Sequence, residues 1–172
     1  MKKILITTNV SYSKKRGYQF WIDKNWFDYS KKIKINLSLY NYQSPNLNFL
    51  RQDVKGVIFS GGNDLSLLKK NKQNIFRDFH EKKLFKHCLK KKIPVIGVCR
   101  GFQLISSIFG SKPFKIKNHV RKIHTLILKE NNLLNKKKIS VNSFHNYGVK
   151  SLPKSFEIIG RHLDNSIEIA RI

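Results

Sequence analysis

The sequence has few acidic residues, few cysteines and no long apolar run. Only 10 of its 172 residues are Asp or Glu against 35 Lys or Arg, so the formal net charge is +25. Cys88 and Cys99 lie eleven positions apart, which fits neither a disulfide framework nor metal-ligand spacing. No apolar run approaches the roughly 20 residues that cross a bilayer, and the start of the chain lacks a signal-peptide pattern. We therefore expect a cytoplasmic protein with no membrane partner.

The positive charge suggests a nucleic-acid partner bound through phosphate contacts. The basic residues, however, are mostly lysines scattered in short runs such as "KKIKI" and "NKKK", with many Asn and Ile beside them. A Lys-, Asn- and Ile-rich coding bias produces the same pattern on solvated surfaces. No zinc-finger spacing, ribonucleoprotein motif or helix-turn-helix pattern accompanies the charge, so nucleic-acid binding is not the preferred interpretation.

Short β-rich runs alternate with longer amphipathic segments, which predicts βαβ units around a parallel sheet. Strands are predicted over 2–10, 34–42, 54–60 and 93–98, and the last is a continuous apolar run typical of a strand buried on both faces. Helices are predicted over 18–32, 47–53, 74–92 and 102–110. After Gly110, a plausible C-cap, shorter alternating runs predict antiparallel or edge strands. The sequence thus predicts one α/β domain over 1–172, flavodoxin-like and three-layered, with a central, mostly parallel sheet.

A cysteine stands where one apolar segment turns into the next, in "IPVIGVCRGFQLI". Gly97 and Gly101 lie two positions before and two after Cys99, as a strand that turns sharply into a helix requires. The helix N-terminus would favour the thiolate, and the backbone amide of Arg100 would face an oxyanion formed by attack of the sulfur. The alternative is a small buried hydrophobe in a packed layer, because Gly-x-Cys-x-Gly also arises by chance.

A second glycine turn, "FSGGND", ends the preceding predicted strand. Adjacent parallel strands end at the same edge of a sheet, and ligands bind there in open α/β sheets. Amides of Gly61, Gly62 or Asn63 would then complete an oxyanion hole with Arg100. An ordinary type I′ or type II turn is the alternative.

Three motifs in order resemble those of the class I glutamine amidotransferases, and within them the γ-glutamyl hydrolase branch. They are "GVIFSGGNDLS", "PVIGVCRGFQLI" and "VNSFHNYGV", and the late "EIIGRHLDNSIEIARI" is also similar to that branch. The resemblance implies that Cys99 attacks a γ-glutamyl amide or a glutamine side-chain amide and becomes a thioester. It implies no metal and no organic cofactor.

The same resemblance implies roles for the neighbouring residues. Backbone amides of Gly61, Gly62 and Arg100 would hold the oxyanion. Substrate binding would fall to four residues: Gln103, Ser143, Phe144 and His145. Each has an ordinary alternative, since a helix glutamine is often solvated and a histidine often caps a turn.

The family's His-Pro-Glu motif, which supplies a general base and the carboxylate that orients it, is absent from these 172 residues. None of the six histidines precedes Pro-Glu: His80, His87, His119, His124, His145 and His162. A chain cut short, a degenerate homologue and a substitute histidine each explain the gap. Because the sequence stops within the strand-like "IEIARI", we expect a domain that lacks its last strand and its catalytic His-Glu segment.

The expected partner is a small γ-glutamyl substrate or glutamine. No synthetase domain is recognisable, which favours a stand-alone hydrolase, although a separate synthetase subunit is a possible partner. Aromatic and basic residues around 12–18 and 112–124 suit an anionic leaving group such as a nucleotide or phosphate. The alternative function is that of a degenerate homologue that binds a ligand or a partner protein.

Overall fold

A computed structural model describes residues 3–43, 47, 54–130 and 134–172. The short helix predicted over 47–53 lies almost entirely outside these residues. The chain divides into two compact units, Met1–Ile105 and Ser106–Ile172. Each unit is described by itself below.

The N-terminal unit contains a parallel sheet of four strands: β1 (Lys3–Ile6), β4 (Asn36–Leu39), β5 (Val54–Phe59) and β6 (Val95–Gly97). Their order is β4-β1-β5-β6, and every neighbouring pair is parallel. If only these strands are counted, the order is 2-1-3-4, as in flavodoxin-like sheets. Ile6, Val57 and Phe59 are buried on the two central strands. The predicted α/β fold with a parallel sheet is confirmed.

Three helices are described, namely α1 (Asn25–Lys32), α2 (Lys72–Lys91) and α3 (Arg100–Ile108). The side chain of Asn71 caps α2 by accepting a hydrogen bond from the amide of Asn74 at 2.9 Å. Gly110 follows α3 with φ +90°, as a C-terminal glycine does. No helix in the described part of the chain is both long enough and apolar enough to cross a membrane.

The helix predicted over 18–32 is wrong in its first part. Strand β3 (Gly17–Trp21) occupies that part and forms an antiparallel hairpin with β2 (Asn9–Ser13). Gly17 has φ +68°, which suits the turn. The ring of Tyr18 stacks on that of Phe76 in α2, with centroids 4.2 Å apart. This contact between residues far apart in sequence favours the strand over the helix that aromatic spacing indicated.

The strand predicted over 93–98 is present as β6, but the prediction that it is buried on both faces is wrong. Among the described strands, β6 lies at the edge of its sheet, and Ile96 is 61% exposed.

The C-terminal unit is antiparallel, as predicted after Gly110. Its strands are β7 (Phe114–Lys115), β8 (Val120–Leu128), β9 (Lys138–Phe144), β10 (Tyr147–Gly148), β11 (Glu157–His162) and β12 (Ile167–Arg171). The larger sheet has the order β12-β11-β8-β9, while β7 pairs with β10. Leu126, Val149 and Ile167 are buried in its core.

Candidate active site

Cys99 lies at a strained turn between β6 and α3. Its φ is +52°, in the left-handed region that non-glycine residues seldom adopt, and its side chain is exposed. A Cβ on Gly97 would lie 2.7 Å from the carbonyl carbon of Gly101, and a Cβ on Gly101 would overlap the carbonyl oxygen of Phe59. Both glycines are therefore required, because the turn brings two stretches of backbone into contact. The structure excludes the alternative that Cys99 is a buried hydrophobe.

The second glycine turn, residues 60–63, lies beside the cysteine. A Cβ placed on Gly61 would be 3.4 Å from Cys99 Cβ and 3.9 Å from its Sγ. Gly62 has φ +96°, and a Cβ there would overlap the side chain of Asn9. Within the described ranges, no residue accepts a hydrogen bond from the amides of Gly61 or Gly62. Two backbone donors are thus available on the turn beside Cys99.

The two peptide units that carry these amides are held by a buried arginine. Arg77 of α2 is fully buried, and its Nη2 donates to the carbonyl oxygen of Ser60 at 3.1 Å. Its Nη1 donates to the carbonyl oxygen of Gly61, also at 3.1 Å. In a trans peptide the N–H points opposite to the C=O. The guanidinium therefore turns the amides of Gly61 and Gly62 away from itself.

Asparagine side chains connect the same turn to the start of β2. Asn63 Oδ1 accepts from the amide of Val10 at 2.9 Å, and Asn63 Nδ2 donates to the carbonyl oxygen of Val10 at 2.9 Å. The amide of Asn63 donates in turn to Asn9 Oδ1 at 3.1 Å. Hydrogen bonds from Arg77 and from the asparagine side chains therefore hold the turn on two sides.

The side chain of Arg100 forms ion pairs rather than facing the turn. It is 1% exposed and pairs with Asp78 and Glu81 of α2. Glu81 also accepts from Arg77 Nε at 2.8 Å. Burial opposes ionisation of Glu81, but Arg100 and Arg77 hold the pKa of this carboxyl below its ordinary value. These ion pairs connect the first turn of α3 to α2.

Sequence reasoning missed this network. Arg77, Asp78 and Glu81 occur in a Lys-rich helix, and the sequence analysis assigned them no role. The available signal was Arg77 and Glu81 at i and i+4 on the face that also carries Leu84 and Phe85.

Two further predicted site groups of the N-terminal unit belong to α3, namely the Gln103 side chain and the Arg100 amide. Gln103 is 8% exposed in α3, so the alternative of a solvated helix residue does not hold. The amide of Arg100, the first residue of α3, has no acceptor within that helix.

Cys88 is buried in α2, and burial raises the pKa of its thiol to about 12, as suits a structural cysteine.

The predicted substrate loop lies in the C-terminal unit, at the end of β9. Ser143 Oγ donates to the carbonyl oxygen of His119 at 2.6 Å, and Phe144 is 62% exposed. His145 is half-buried; its Nδ1 donates to the carbonyl oxygen of Tyr147 at 3.0 Å, and its Nε2 lies 3.3 Å from a carboxylate oxygen of Glu168. Burial lowers the pKa of His145, but Glu168 outweighs it and raises that pKa above its ordinary value.

A cluster of histidines in the same unit was not anticipated from the sequence. The ring of His119 lies 4.7, 4.9 and 4.7 Å, between centroids, from those of His124, His145 and His162. His119 is 1% exposed and His124 is 9% exposed. Burial, followed by the nearby His162, lowers the pKa of His124. The members lie on different strands and loops, so no local spacing identifies the cluster.

Solved structures share the fold. A glutamine amidotransferase from Thermotoga maritima superimposes with a TM-score of 0.71 at 15% identity, over 96% of this chain and 69% of that chain. Residues 39–172 match the Peptidase C26 family. The chain therefore belongs to Peptidase C26, a class I glutamine amidotransferase-like family, as the resemblance predicted.

Two curated relatives illustrate the range of named activities. The gamma-glutamyl-CDP-amidate hydrolase of Campylobacter jejuni is 36% identical over 123 residues, which cover 72% of this chain and 58% of that protein. A glutamine-hydrolyzing GMP synthase subunit from Methanosphaera stadtmanae is 28% identical over 149 residues, which cover 80% of this chain and 73% of that protein. The chain spans little more than half the length of the Campylobacter relative.

Proposed function

We propose that this chain carries the thiol and the oxyanion site of a hydrolase that cleaves a γ-glutamyl amide or a glutamine side-chain amide. One observation carries the proposal: the exposed Cys99, strained at φ +52°, lies beside Gly61, and the amides of Gly61 and Gly62 have no acceptor among the described residues. Membership of Peptidase C26 supports it.

The reaction would proceed through a thioester. The Cys99 thiolate adds to the amide carbonyl carbon, and the backbone amides of Gly61, Gly62 and Arg100 stabilise the oxyanion. The C–N bond then breaks, and the amine leaves with the proton that the thiol gave up. Water hydrolyses the thioester, which releases the glutamyl carboxylate and regenerates the thiol.

Both proton transfers need a general base, and none of these 172 residues belongs to a His-Pro-Glu motif. No metal or organic cofactor takes part in the proposed chemistry. The base is therefore the component of the mechanism that this chain leaves unassigned.

Substrate binding would involve Gln103 and the loop of Ser143, Phe144 and His145. Phe144 is exposed and so is accessible to a ligand. His145 Nε2, which lies 3.3 Å from Glu168, would donate to the α-carboxylate of the glutamyl group once it exchanged Glu168 for that carboxylate. These assignments rest on the resemblance of "VNSFHNYGV" to the family's substrate loop.

The amine side of the substrate is proposed to be anionic, as in the gamma-glutamyl-CDP-amidate named for the Campylobacter relative. Lys72 Nζ lies 4.6 Å from the centroid of the Tyr12 ring and donates to its hydroxyl at 3.3 Å. Tyr12 packs against Tyr18 with centroids 5.0 Å apart. Such cationic and aromatic groups bind a base and its phosphates. Equal hydrolysis of γ-glutamyl amides with neutral amines would contradict this substrate class.

The thiol and oxyanion assignment is testable without turnover. A chloromethyl ketone built on the glutamine side chain alkylates a positioned cysteine, displaces chloride and leaves a thioether. Intact-mass analysis should show one adduct per chain, lost in Cys99→Ala and retained in the matched control Cys88→Ala. An adduct that persists in Cys99→Ala, or is no faster than that of a chloromethyl ketone lacking the glutamyl group, would overturn the assignment.

A second candidate is a non-catalytic protein that binds a glutamyl ligand or a partner. The hydrogen bonds that already engage the side chains of Ser143 and His145 favour it. A separate synthetase subunit is the natural partner, since the Methanosphaera relative is itself one subunit of a GMP synthase. Glutamine binding by calorimetry with no adduct at Cys99 would favour this function over the hydrolase.

A further inference from the structure

Four of the six histidines of the chain meet in the C-terminal unit and are here called the histidine cluster: His119, His124, His145 and His162. The rings of His124 and His162 stack with centroids 4.3 Å apart. One ring nitrogen from each of His119, His124 and His162 lies within 4.8 Å of the others. The proposed thioester chemistry does not require this arrangement.

A carboxylate orients two of these imidazoles. Asp164 Oδ2 lies 2.9 Å from His119 Nε2, and Asp164 Oδ1 lies 3.1 Å from His162 Nδ1. A histidine that donates one N–H to a carboxylate presents its other nitrogen as a lone-pair ligand. In His119 that other nitrogen is Nδ1, and in His162 it is Nε2.

Among the described residues, buried ring nitrogens of His119 and His124 lack a hydrogen-bond partner. In the described part of the chain, His119 Nδ1 and both ring nitrogens of His124 are buried without a hydrogen-bond partner. Buried polar atoms in native proteins are nearly always satisfied. Since a neutral imidazole has one lone pair, His119 and His124 can each present one of these nitrogens to a ligand that accepts electron pairs.

We infer that His119, His124 and His162 bind one divalent transition metal ion of the class that prefers imidazole, with Zn²⁺ as its representative. Zn–N bonds of about 2.0–2.1 Å place tetrahedral ligand atoms about 3.4 Å apart. One nitrogen from each of these side chains already lies within 4.8 Å of the others, and rotation of the side chains would have to bring the nitrogens closer to reach that geometry.

Glu168 is the candidate for a fourth, acidic ligand. Glu168, His119 and His145 form a second group whose ligand atoms also lie within 4.8 Å of one another. Glu168 Oε1 is 3.9 Å from His119 Nδ1, the nitrogen that lacks a hydrogen bond. Three imidazoles and one carboxylate suit Zn²⁺.

The ion would stabilise the C-terminal unit. Its ligands come from the segment before β8 (His119), from β8 itself (His124) and from β11 (His162). An ion that binds only the folded state raises the thermal midpoint, because binding energy adds to the free energy of unfolding. The three histidine ligands are not part of the proposed cysteine chemistry, whereas Glu168 also lies beside His145 of the proposed substrate loop.

The test uses the full chain without a histidine tag, freed of metal by chelator and titrated with ZnCl₂ in a calorimeter. We expect one ion per chain, with affinity at least about tenfold weaker in His124→Ala and in the positioning variant Asp164→Asn. His80→Ala and His87→Ala are the matched controls and should bind as the wild type does. Absence of binding to the wild type, or equal binding by His124→Ala, would overturn the site.

A measurement on the wild type covers the case in which His124→Ala does not fold. Co²⁺ should replace Zn²⁺ and give the intense visible absorption of a tetrahedral complex, which Zn²⁺ then abolishes. A spectrum equal to that of hydrated Co²⁺ would overturn the proposal, and loss of the tetrahedral bands in a folded Asp164→Asn variant would support it.

Discussion

Arg77 Nη1 donates a hydrogen bond to the carbonyl oxygen of Gly61 at 3.1 Å, and this contact sets the direction of the Gly62 amide. The carbonyl of Gly61 and the N–H of Gly62 belong to one planar, trans peptide unit. A buried cation on one side of the turn thus orients a donor on the other side. Arg77 is accordingly a positioning residue for the proposed oxyanion site.

Arg77→Lys keeps the charge but loses the planar fork that spans the two carbonyls. We expect the rate of alkylation by the glutamine chloromethyl ketone to fall at least about tenfold, since the oxyanion donors lose their orientation. The rate with iodoacetamide, which forms no oxyanion, should change little. Arg16→Lys, at an exposed position, is the matched control. Equal losses with both reagents would mean that the role of Arg77 is only structural.

Gly101→Ala should destabilise the protein severely. The added Cβ would overlap the carbonyl oxygen of Phe59, and backbone cannot yield as a side chain does. We expect the free energy of unfolding in urea to fall by more than about 2 kcal/mol. In the control Gly56→Ala the new Cβ would meet its nearest atoms at 3.4 and 3.5 Å, ordinary contacts, so stability should hardly change. Similar losses in both variants would refute the proposed close approach at the elbow.

The two cysteines should differ sharply in reactivity. Cys99 is exposed, whereas Cys88 is buried with its pKa raised to about 12. Iodoacetamide at about pH 8 should modify Cys99 alone in the native protein, because only the thiolate of an accessible cysteine reacts. Peptide mass mapping checks this, and both cysteines should react after denaturation in urea. Comparable native labelling of Cys88 would be inconsistent with its burial.

Acid should remove the contribution of Glu81 to stability. Burial opposes its ionisation, but Arg100 and Arg77 lower the pKa of Glu81 in the folded state below the ordinary 4.5. A carboxyl with a lowered folded pKa stabilises the protein above its unfolded pKa and loses that contribution as the pH falls through the folded pKa. The wild type should therefore unfold more easily as the pH drops below about 4.5.

Glu81→Gln provides the comparison for this pH dependence. It should be less stable than the wild type at neutral pH, by about 3–5 kcal/mol, because two buried arginines lose a partner. The difference should shrink as the pH falls, in urea unfolding followed by circular dichroism. Glu130→Gln, at an exposed position, should follow the wild type at every pH. A pH-independent gap between Glu81→Gln and the wild type would exclude linkage to this carboxyl.

Sequence reasoning was most accurate where a local requirement determines the residue type. Gly97 and Gly101 mark the elbow because Cβ atoms there would strike backbone in the first turn of α3 or on the adjacent strand. It was least accurate at β3, where helical spacing of aromatics suggested a helix. That segment forms a strand paired with β2, and its Tyr18 stacks on Phe76, a partner that no local window contains.

The sequence by itself determined the alternation that builds a parallel sheet, the antiparallel character after Gly110 and the position of Cys99 between two glycines. These follow from periodicity and from backbone sterics, which act over a few residues. Only the tertiary structure decided that Arg77 holds the Gly61 peptide, that Arg100 pairs with Asp78 and Glu81, and that distant histidines meet around Asp164. Those contacts depend on which faces of separate elements approach each other, a property that no single segment encodes.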